Sequence, residues 1–569
     1  MAQSENSAGL PSMDLQETLP NFSLISNTEA VSGPSSGYTK SQNMAASPIW
    51  PEFLGLGLGL NFDSVPLQYE PFNWGNTSIE TPSNESMDRQ QINHLAVSEL
   101  VDNTSKITNL NPNCFSLAQI DPVESKCEEL NALLSTKKGL TFEGSTNERI
   151  TREKLVYSIE LFGRHFQRHL PIIHSASFSL SQAPRGLLLA MYCVGACYDN
   201  NIMTTEHILK AAAQVLMDIE HQPHEEKMDE PPLSAIQAGI LASSVLATSQ
   251  DEFSHKSVPI HFARNISMAH RARIFQSVDR KDYNTMTLET FDWDAWVDLE
   301  SRIRIANALF TQNTAECIFQ GKPPTFSPFD LDFSLPRYEA SWEAQSASQC
   351  LEALQSTPRS ELLSTVMQKL LVSNTTSEAS SPFEGSSFGM FTLITGIHCI
   401  VWNAIKLQIR EPWDPAKLNG ASSSYEAMEA SSILNNLRTN FSSHTIESLT
   451  AEIEAFSGAG RFAGENKALD TWMHWWNARQ YRDHKDSSFA LNPMPFWYLA
   501  KVFLLLRLCG DADHLTQSDF ACVIAKSDDV KGKMQRQSKI LELMSRLRHP
   551  RQVQLQRTLQ ANVASFMEP

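Results

Sequence analysis

From about residue 145 onward, apolar side chains recur every three or four positions, which is the spacing of one face of an α-helix. The first such stripe is made by Leu155, Ile159, Phe162 and Phe166. Just ahead of it, Ser145 and Glu148 have the spacing of a capping box, in which each side chain accepts a hydrogen bond from an otherwise unpaired backbone N–H. The pattern therefore predicts a helix that starts after Ser145.

Helical periodicity continues through the rest of the chain. Gly186–Tyr198 is apolar nearly all round, as in a buried central helix. A stripe from Trp296 to Phe310 is followed by Gly321 and a Pro–Pro pair, which end helices. Convincing strand alternation with hairpin turns appears nowhere. The expected fold is all-α, a large multi-helix domain of packed antiparallel helices.

Polarity divides the chain into parts. Residues 1–140 are rich in Ser, Asn, Gln, Thr and Pro, are acidic and lack sustained periodicity, so we expect a disordered arm. Within it, residues 49–74 place aromatic and Leu side chains among acidic ones, as in segments that fold on a partner. The alternative is an arm that packs back on the body or has no role. The helical body follows as residues 145–372 and 388–569, joined by a Ser-, Thr- and Glu-rich linker or loop at 373–387.

Composition narrows the class of protein. The chain has 569 residues, of which 41% are apolar and 19% charged, as in an ordinary folded cytosolic or nuclear protein. Its net charge of -18 argues against sequence-independent nucleic-acid binding by the whole chain, because such binding needs Lys and Arg at phosphates. Nine scattered cysteines suit a reducing compartment. The start lacks the features of a signal peptide and the apolar runs are too short for a bilayer, so we expect a soluble intracellular protein.

The sequence gives little support for nucleotide binding or nucleophilic catalysis. The phosphate-binding loop and the dinucleotide fingerprint are both missing from the sequence. Gly385–Gly389 has the Gly-x-Ser-x-Gly pattern of a nucleophile elbow, centred on Ser387, but this elbow requires a buried strand before the serine. The preceding residues are polar and include a proline, so we interpret the segment as a loop before a helix.

Metal ligation has one weak candidate. His165 and His169 are four residues apart, and His174, Cys193 and Cys197 follow at short distances in sequence. The metalloprotease pattern needs Glu directly after the first His, where Phe stands, and the cysteines lie within a strongly apolar helix. We therefore expect core or surface histidines rather than a metal site. His221 and His224 flank a proline in a loop and carry no predicted role.

Charged clusters have ordinary interpretations. The pairs Asp292/Asp294 and Asp330/Asp332 border aromatic residues at helix or loop edges, where acidic caps are routine. A basic set near the C-terminus favours a solvated helix face, with a nuclear-import or nucleic-acid role as the alternative. The set consists of Lys531, Lys533, Arg536, Lys539, Arg546, Arg548 and Arg551. The sequence thus predicts no catalytic, cofactor-binding or metal residues and no enzyme.

A family resemblance rests on short motifs in a fixed order. They are Tyr157–Phe162 with His165 and Phe166, Leu170–His174 with Phe178, Leu187–Ala196, Ile236–Ala238, Ile260–Arg264, Ala269–Arg273, Glu300–Arg304, Pro323–Pro324, Leu335–Pro336 and Trp342. The series resembles the fungal-specific transcription factor domain, and most closely its branch with Cys2His2 zinc fingers. The resemblance covers roughly residues 150–345, and more loosely Leu491–Leu506.

The resemblance implies a helical regulatory body attached to a zinc-bearing DNA reader, in a nuclear activator or repressor. Many relatives govern metabolic or specialised-product gene clusters. The chain departs from the family because such readers need six closely spaced cysteines or paired Cys and His ligands, and residues 1–140 hold only Cys114 and Cys127. Zinc is expected only if a finger module lies upstream.

We therefore expect a nuclear transcription regulator that controls a metabolic or secondary-metabolite gene cluster. It would act through a partner, such as another transcription regulator or a coactivator, or through a missing zinc-finger module. Self-association is a further option, and no membrane contact is expected. The alternative is a non-catalytic helical interaction scaffold that is not involved in transcription.

Overall fold

A computed structural model of the chain shows a body made of helices. The structure describes residues 122–135, 149–199, 205–221, 231–247, 252–372, 385–408, 428–434, 451–456, 462–480, 493–508, 532 and 535–544. Within these residues, β pairing is limited to an isolated antiparallel bridge between Ser334 and Leu362. The expected all-α fold is confirmed.

The helices of the described residues are named here in chain order. They are α1 (Pro122–Ser135), α2 (Arg152–Leu161), α3 (Arg185–Ala196), α4 (Thr205–His221), α5 (Leu233–Ala247), α6 (Glu252–Arg271), α7 (Trp293–Gln320), α8 (Glu339–Trp342), α9 (Ala347–Ser356), α10 (Leu363–Val372), α11 (Ser387–Gln408), α12 (Ala463–Gln480) and α13 (Met494–Leu508). A π-helical turn, Phe162–Phe166, continues α2, and Ile274–Gln276 and Tyr283–Thr285 are single 3₁₀ turns.

Two helices form the centre of the N-terminal half. Nearly every residue of α3 and most residues of α5 are buried, as the apolar composition of both segments predicts. Helix α3 packs against α1, α2, α4 and α5, and α5 packs in turn against α4, α6 and α7. Of the helices that contact α5, it is α7 that also contacts the C-terminal half of the body.

Helix α7 connects the two halves of the body. The Asp292 carboxylate caps its start by accepting a hydrogen bond from the Ala295 N–H at 2.9 Å. Gly321 ends it in the left-handed conformation, with φ of 65°, as the sequence predicted. Helix α7 contacts α5 and α6 as well as α11, and α11 in turn packs against α10, α12 and α13. The core is therefore continuous from one half to the other.

The predicted disordered arm is too long at its C-terminal end. Residues 122–135, placed in the arm because the segment lacked sustained periodicity, form α1. Cys127, Leu130 and Leu133 are buried against the body. Asn131 secures the helix to the chain that follows, because its side chain donates to Ile150 O at 2.9 Å and accepts from Ile150 N at 3.0 Å.

Helix α2 also begins later than predicted. Its first residue is Arg152, and Thr151 is the N-cap, whose hydroxyl accepts from the Lys154 N–H at 3.4 Å. Ser145 and Glu148, the predicted capping box, lie outside the described residues. So do the segment 49–74, the part 373–384 of the linker, and His224.

One described helix is long and apolar enough to cross a membrane by length and composition. It is Ser387–Ile405 of α11, and 72% of this stretch is buried inside the protein. Its packing against α7, α10, α12 and α13 is that of a core helix.

Candidate functional site

The family motifs, which are far apart in sequence, meet around Arg304. This side chain is fully buried on α7. Its Nε donates to Glu300 Oε1 at 2.8 Å, and its Nη2 donates to the backbone oxygen of Arg337 at 3.0 Å. Its Nη1 lies 3.4 Å from Pro171 O, and the guanidinium sits 4.3 Å above the Trp342 ring. Arg304 therefore contacts residues of three of the expected motifs, namely Glu300–Arg304, Leu170–His174 and Trp342.

A second buried ion pair adjoins the first. Arg337 Nε and Nη2 donate to Asp279 Oδ2 at 3.0 and 2.8 Å, and its Nη1 donates to Pro358 O at 2.8 Å. Asp279 Oδ1 accepts from the Tyr283 hydroxyl at 3.1 Å. The Arg337 backbone N–H donates to Glu300 Oε1 at 3.0 Å, which joins the two pairs. We call Asp279, Glu300, Arg304 and Arg337 the buried ion network.

The buried ion network lies where two cores meet. A smaller core is formed by Tyr283, Phe291, Trp296, Trp342, Ala344, Cys350, Leu351 and Leu354. Along α7, Trp296 belongs to the smaller core and Ile305 to the main one, with Glu300 and Arg304 between them. Buried charges are tolerated only when they are paired and hydrogen-bonded. The network therefore fixes the segment that carries α8 and α9 in one position against α7.

The electrostatics of the network are those of a structural site. Burial raises the pKa of the Glu300 carboxyl, and the Arg304 guanidinium opposes this effect. Burial also raises the pKa of the Tyr283 hydroxyl, and the charge of Asp279 adds to the increase. Tyr283 therefore stays protonated and serves as a hydrogen-bond donor.

A cleft of about 370 Å³ opens near this network. It lies between residues 173–184, the start of α5 and the first turns of α7. Its apolar lining comes from Ile173, Phe178, Ala183, Leu187, Leu233 and Val297. Asp294 and Asp298 of α7 line it as well, and Asp298 pairs with Arg302 at 2.8 Å. This volume falls in the range of about 300–1,000 Å³ typical of small-molecule sites.

His174 connects the cleft to the smaller core. Its Nδ1 is 2.8 Å from Ser177 Oγ, and its ring meets the Trp342 and Trp293 rings edge-on at 4.8 and 5.8 Å. Burial, with the charge of Arg304, lowers its pKa to about 4. The imidazole is thus neutral near pH 7 and fills space among tryptophans.

His165, Cys193 and Cys197, which were considered for a metal, take part in the packing of the helices. His165 stacks on Tyr198 with ring centroids 4.9 Å apart, and burial lowers its pKa to about 4. Cys193 and Cys197 are buried in α3, where burial raises the pKa of both thiols. In the part of the chain that the structure describes, no three His, Cys, Asp or Glu side chains are placed to hold a metal ion.

The segment that matched the nucleophile elbow is a helix start. Ser386 Oγ accepts from the Gly389 N–H at 2.8 Å, and Ser387 N donates to Glu339 Oε1 at 2.6 Å. Ser387 is the first residue of α11. Residues 385 and 386 therefore precede the helix, whereas residues 387–389, which were also interpreted as loop, form its first turn.

The acidic pairs mostly serve local structure. Asp292 caps α7, as predicted. Asp294 lies in the first turn of α7, where a negative charge favours the helix. Asp330 Oδ2 accepts from the Ser327 N–H at 2.8 Å in a turn, and Asp332 is exposed.

The C-terminal basic set contains one residue with a structural role. Arg536 Nε and Nη2 donate to Ile318 O at 3.4 and 3.2 Å, so the guanidinium binds a carbonyl in the last turn of α7. Lys539 pairs with Glu542 at 3.0 Å on the partly exposed face of the same segment. Lys531, Lys533, Arg546, Arg548 and Arg551 lie outside the described residues. The predicted solvated face thus does not include Arg536.

The sequence reasoning overlooked the buried ion network as a structural unit. One signal was available: Glu300 and Arg304 stand one helical turn apart within the apolar stripe of α7, the spacing of a side-chain ion pair. Asp279 and Arg337 carried no such signal, since they are 58 residues apart.

The fold and the site define a helical domain whose short motifs converge on a buried ion network. Residues 159–430 match the family model of the fungal specific transcription factor domain. The match extends across the predicted linker at 373–387. A stretch of 203 residues, 34% of the chain, is 23% identical to the zinc finger protein zas1 of Schizosaccharomyces pombe. The match spans 22% of that relative's length, and no solved structure matches significantly.

Proposed function

We propose that this protein regulates transcription in the nucleus, with the helical body as its regulatory module. The match of residues 159–430 to the family carries the proposal. The family is one of transcription factors, and the module works by binding rather than by turnover. Its target genes belong to a metabolic or secondary-metabolite cluster, as the resemblance implies.

The body reaches DNA through another module. The net charge of -18 is unfavourable for direct contact with phosphates, and the sequence lacks the paired Cys and His ligands of a finger. A partner regulator, or a zinc-finger module encoded upstream of this sequence, would supply the contact. Zinc enters the mechanism only through such a module.

A tethering experiment tests the proposal. The full chain is fused to a heterologous DNA-binding domain and placed at a reporter promoter in fungal cells. We expect the fusion to raise or lower reporter transcription at least several-fold relative to the DNA-binding domain alone. A folded fusion that reaches the promoter and leaves transcription unchanged would favour the interaction scaffold instead.

Two cellular measurements test the finer claims. Chromatin precipitation of the chain should recover promoters of clustered metabolic genes, and its deletion should change their transcripts. Recovery should disappear when the zinc-finger partner or upstream module is removed. Exclusion of the chain from the nucleus under all growth conditions would contradict the proposed location.

A further inference from the structure

The cleft of about 370 Å³ beside His174 has polar groups without partners on its inner wall. Gln237 of α5 and Ser301 of α7 both line it, and these residues are only 8% and 7% exposed. Within the described residues, Gln237 Oε1 and Ser301 Oγ make no hydrogen bond, and both atoms keep accessible surface at the cleft. Polar atoms so nearly buried gain free energy from a partner, so this wall is suited to a polar group of a ligand.

A hydrogen bond fixes the orientation of the Gln237 amide. Its Nε2 donates to Ile172 O at 2.8 Å. The reverse orientation would place two oxygen acceptors against each other, so Oε1 is the end of the amide that remains open. Oε1 accepts and cannot donate, whereas the Ser301 hydroxyl can do either. The inner wall therefore requires a ligand group that donates one hydrogen bond and can accept another.

The charges of the cleft lie at its mouth. Asp294 and Asp298 line it and are exposed, and Asp298 is paired with Arg302. The described residues of the lining include no lysine or arginine. An anionic ligand would be repelled by Asp294. A cationic group would lose water at the inner wall without meeting a buried counter-charge, because both carboxylates are at the mouth. The inner wall thus selects an uncharged polar group.

We propose that this cleft binds a small uncharged alcohol with an apolar body. A hydroxyl has one donor for Gln237 Oε1 and lone pairs that accept from the Ser301 hydroxyl. The apolar body would pack against the apolar lining, which consists of Ile173, Phe178, Ala183, Leu187, Leu233 and Val297. Ordered water is the competing occupant, because a polar cleft of this size also holds water molecules.

A ligand in the cleft would join three parts of the fold. The lining comes from residues 173–184, from α5 and from α7, and Ser301 directly follows Glu300 of the buried ion network. A ligand that binds only the folded chain raises the thermal unfolding midpoint, so occupancy can be measured as a shift of this midpoint. The inference rests on the geometry of the cleft and not on the proposed function.

The test uses the purified full chain and cyclohexylmethanol as the probe. Cyclohexanecarboxylate and cyclohexylmethylamine carry the same ring and serve as the anionic and cationic comparisons. Binding is measured by saturation-transfer NMR and by the thermal unfolding midpoint, at constant pH and ionic strength. We expect saturable binding of the alcohol, with both charged compounds at least about tenfold weaker, since neither charge is compensated at the inner wall. An equal response to all three compounds, or none, would overturn the proposal and leave water as the occupant.

Variants assign the binding to the cleft. Ser301→Ala removes one hydrogen bond and should weaken binding of the alcohol about fivefold. Its matched control is Ser267→Ala, at an exposed serine of α6 outside the cleft, which should leave binding unchanged.

A second pair of variants tests the apolar part. Val297→Phe fills the cleft and should abolish binding, whereas Val156→Phe, at an exposed valine of α2, should not. Circular dichroism checks that each variant is folded. Retained binding in both Ser301→Ala and Val297→Phe would contradict a site in the cleft. A silent tethered reporter would bear on the proposed function alone.

Discussion

At the residue scale, Arg304 does more than pair with Glu300. Its guanidinium also donates to the backbone of Arg337 and packs on Trp342. Removal of the arginine would leave the fully buried Glu300 carboxylate with much less compensation for lost solvation. The same Glu–Arg spacing of four residues occurs at Glu160 and Arg164, where both side chains are about half exposed and water replaces the partner.

Arg304→Met should lower the free energy of unfolding by about 3–5 kcal/mol, because a buried charge loses its partner. Arg164→Met should lower the free energy of unfolding by at most about 1 kcal/mol, because the ion pair of Arg164 with Glu160 is exposed. Urea unfolding followed by circular dichroism measures both. Equal costs for the two substitutions would show that the buried ion network does not stabilise the body.

Neutral buried histidines make stability depend on pH. His398 of α11 donates through Nε2 to Phe496 O at 2.9 Å, and burial lowers its pKa to about 4. In the unfolded chain the pKa is near the ordinary value of about 6.5. Between these values the unfolded chain binds more protons, so the free energy of unfolding falls as pH drops from about 6.5 to 4.

His398→Gln should flatten this acid-induced loss, because glutamine can donate to the same carbonyl and does not titrate. The measurement is urea unfolding of both proteins at several values between pH 7.5 and 4.5. The carboxyl groups titrate in the same way in both proteins, so their contribution cancels when one plot of unfolding free energy against pH is subtracted from the other. An unchanged pH dependence in the variant would contradict a low pKa for His398.

At the element scale, α2 and α3 cross so closely that a side chain at Gly195 has no room. A Cβ there would lie 1.9 Å from Ser158 O. The contact is held by the Ser158 hydroxyl, which donates to Tyr192 O at 2.7 Å. Gly186, in the first turn of the same helix, has room for a side chain, because a Cβ added there would meet no heavy atom within 4 Å.

Gly195→Ala should therefore lower the free energy of unfolding by about 3 kcal/mol, the upper end of the usual cost of overpacking, since backbone must move away from backbone. Gly186→Ala is the matched control and should be neutral or stabilising by about 0.5–1 kcal/mol, because alanine favours the helix. Thermal unfolding of the two variants distinguishes the cases. Similar midpoints would mean that the helices can separate without cost.

The sequence predicted long helices better than short ones. Helix α7 was recognised from its stripe, and its start and end followed from the local chemistry of Asp292 and Gly321. Helix α1 was missed because its 14 residues lie beside a long polar segment and gain stability from the body that they contact. The π-helical turn Phe162–Phe166 was also beyond prediction, since ordinary helical periodicity continues through it.

At the scale of the whole body, the predicted linker does not separate two independent cores. Helices α7 and α11 pack directly, and Thr314 Oγ1 lies 3.3 Å from Cys399 Sγ at their contact. Helix α12 also contacts α11, where Trp472 Nε1 donates to Met390 O at 3.0 Å. The residues before 373 and after 384 therefore bury each other's apolar surface.

A chain that ends at Val372 should fail to fold stably, because α7 and α10 would expose faces that are buried in the full chain. Size exclusion and circular dichroism would show aggregation or a strong loss of helix. As a control, a protease site placed within 373–384 should allow cleavage without separation of the two fragments. A cooperative unfolding transition in the truncated chain would show instead that the first part is an independent domain.

The sequence by itself determined the helical class and the buried face of the long helices, because helical periodicity is a local property of the chain. It also predicted the family through motifs in a fixed order. Only the tertiary structure decided that Asp279 and Arg337 pair, that α1 docks on the body, and that Arg536 binds the end of α7. These contacts join residues far apart in sequence. They form only once the chain has folded and water has left the polar groups, so no local pattern records them.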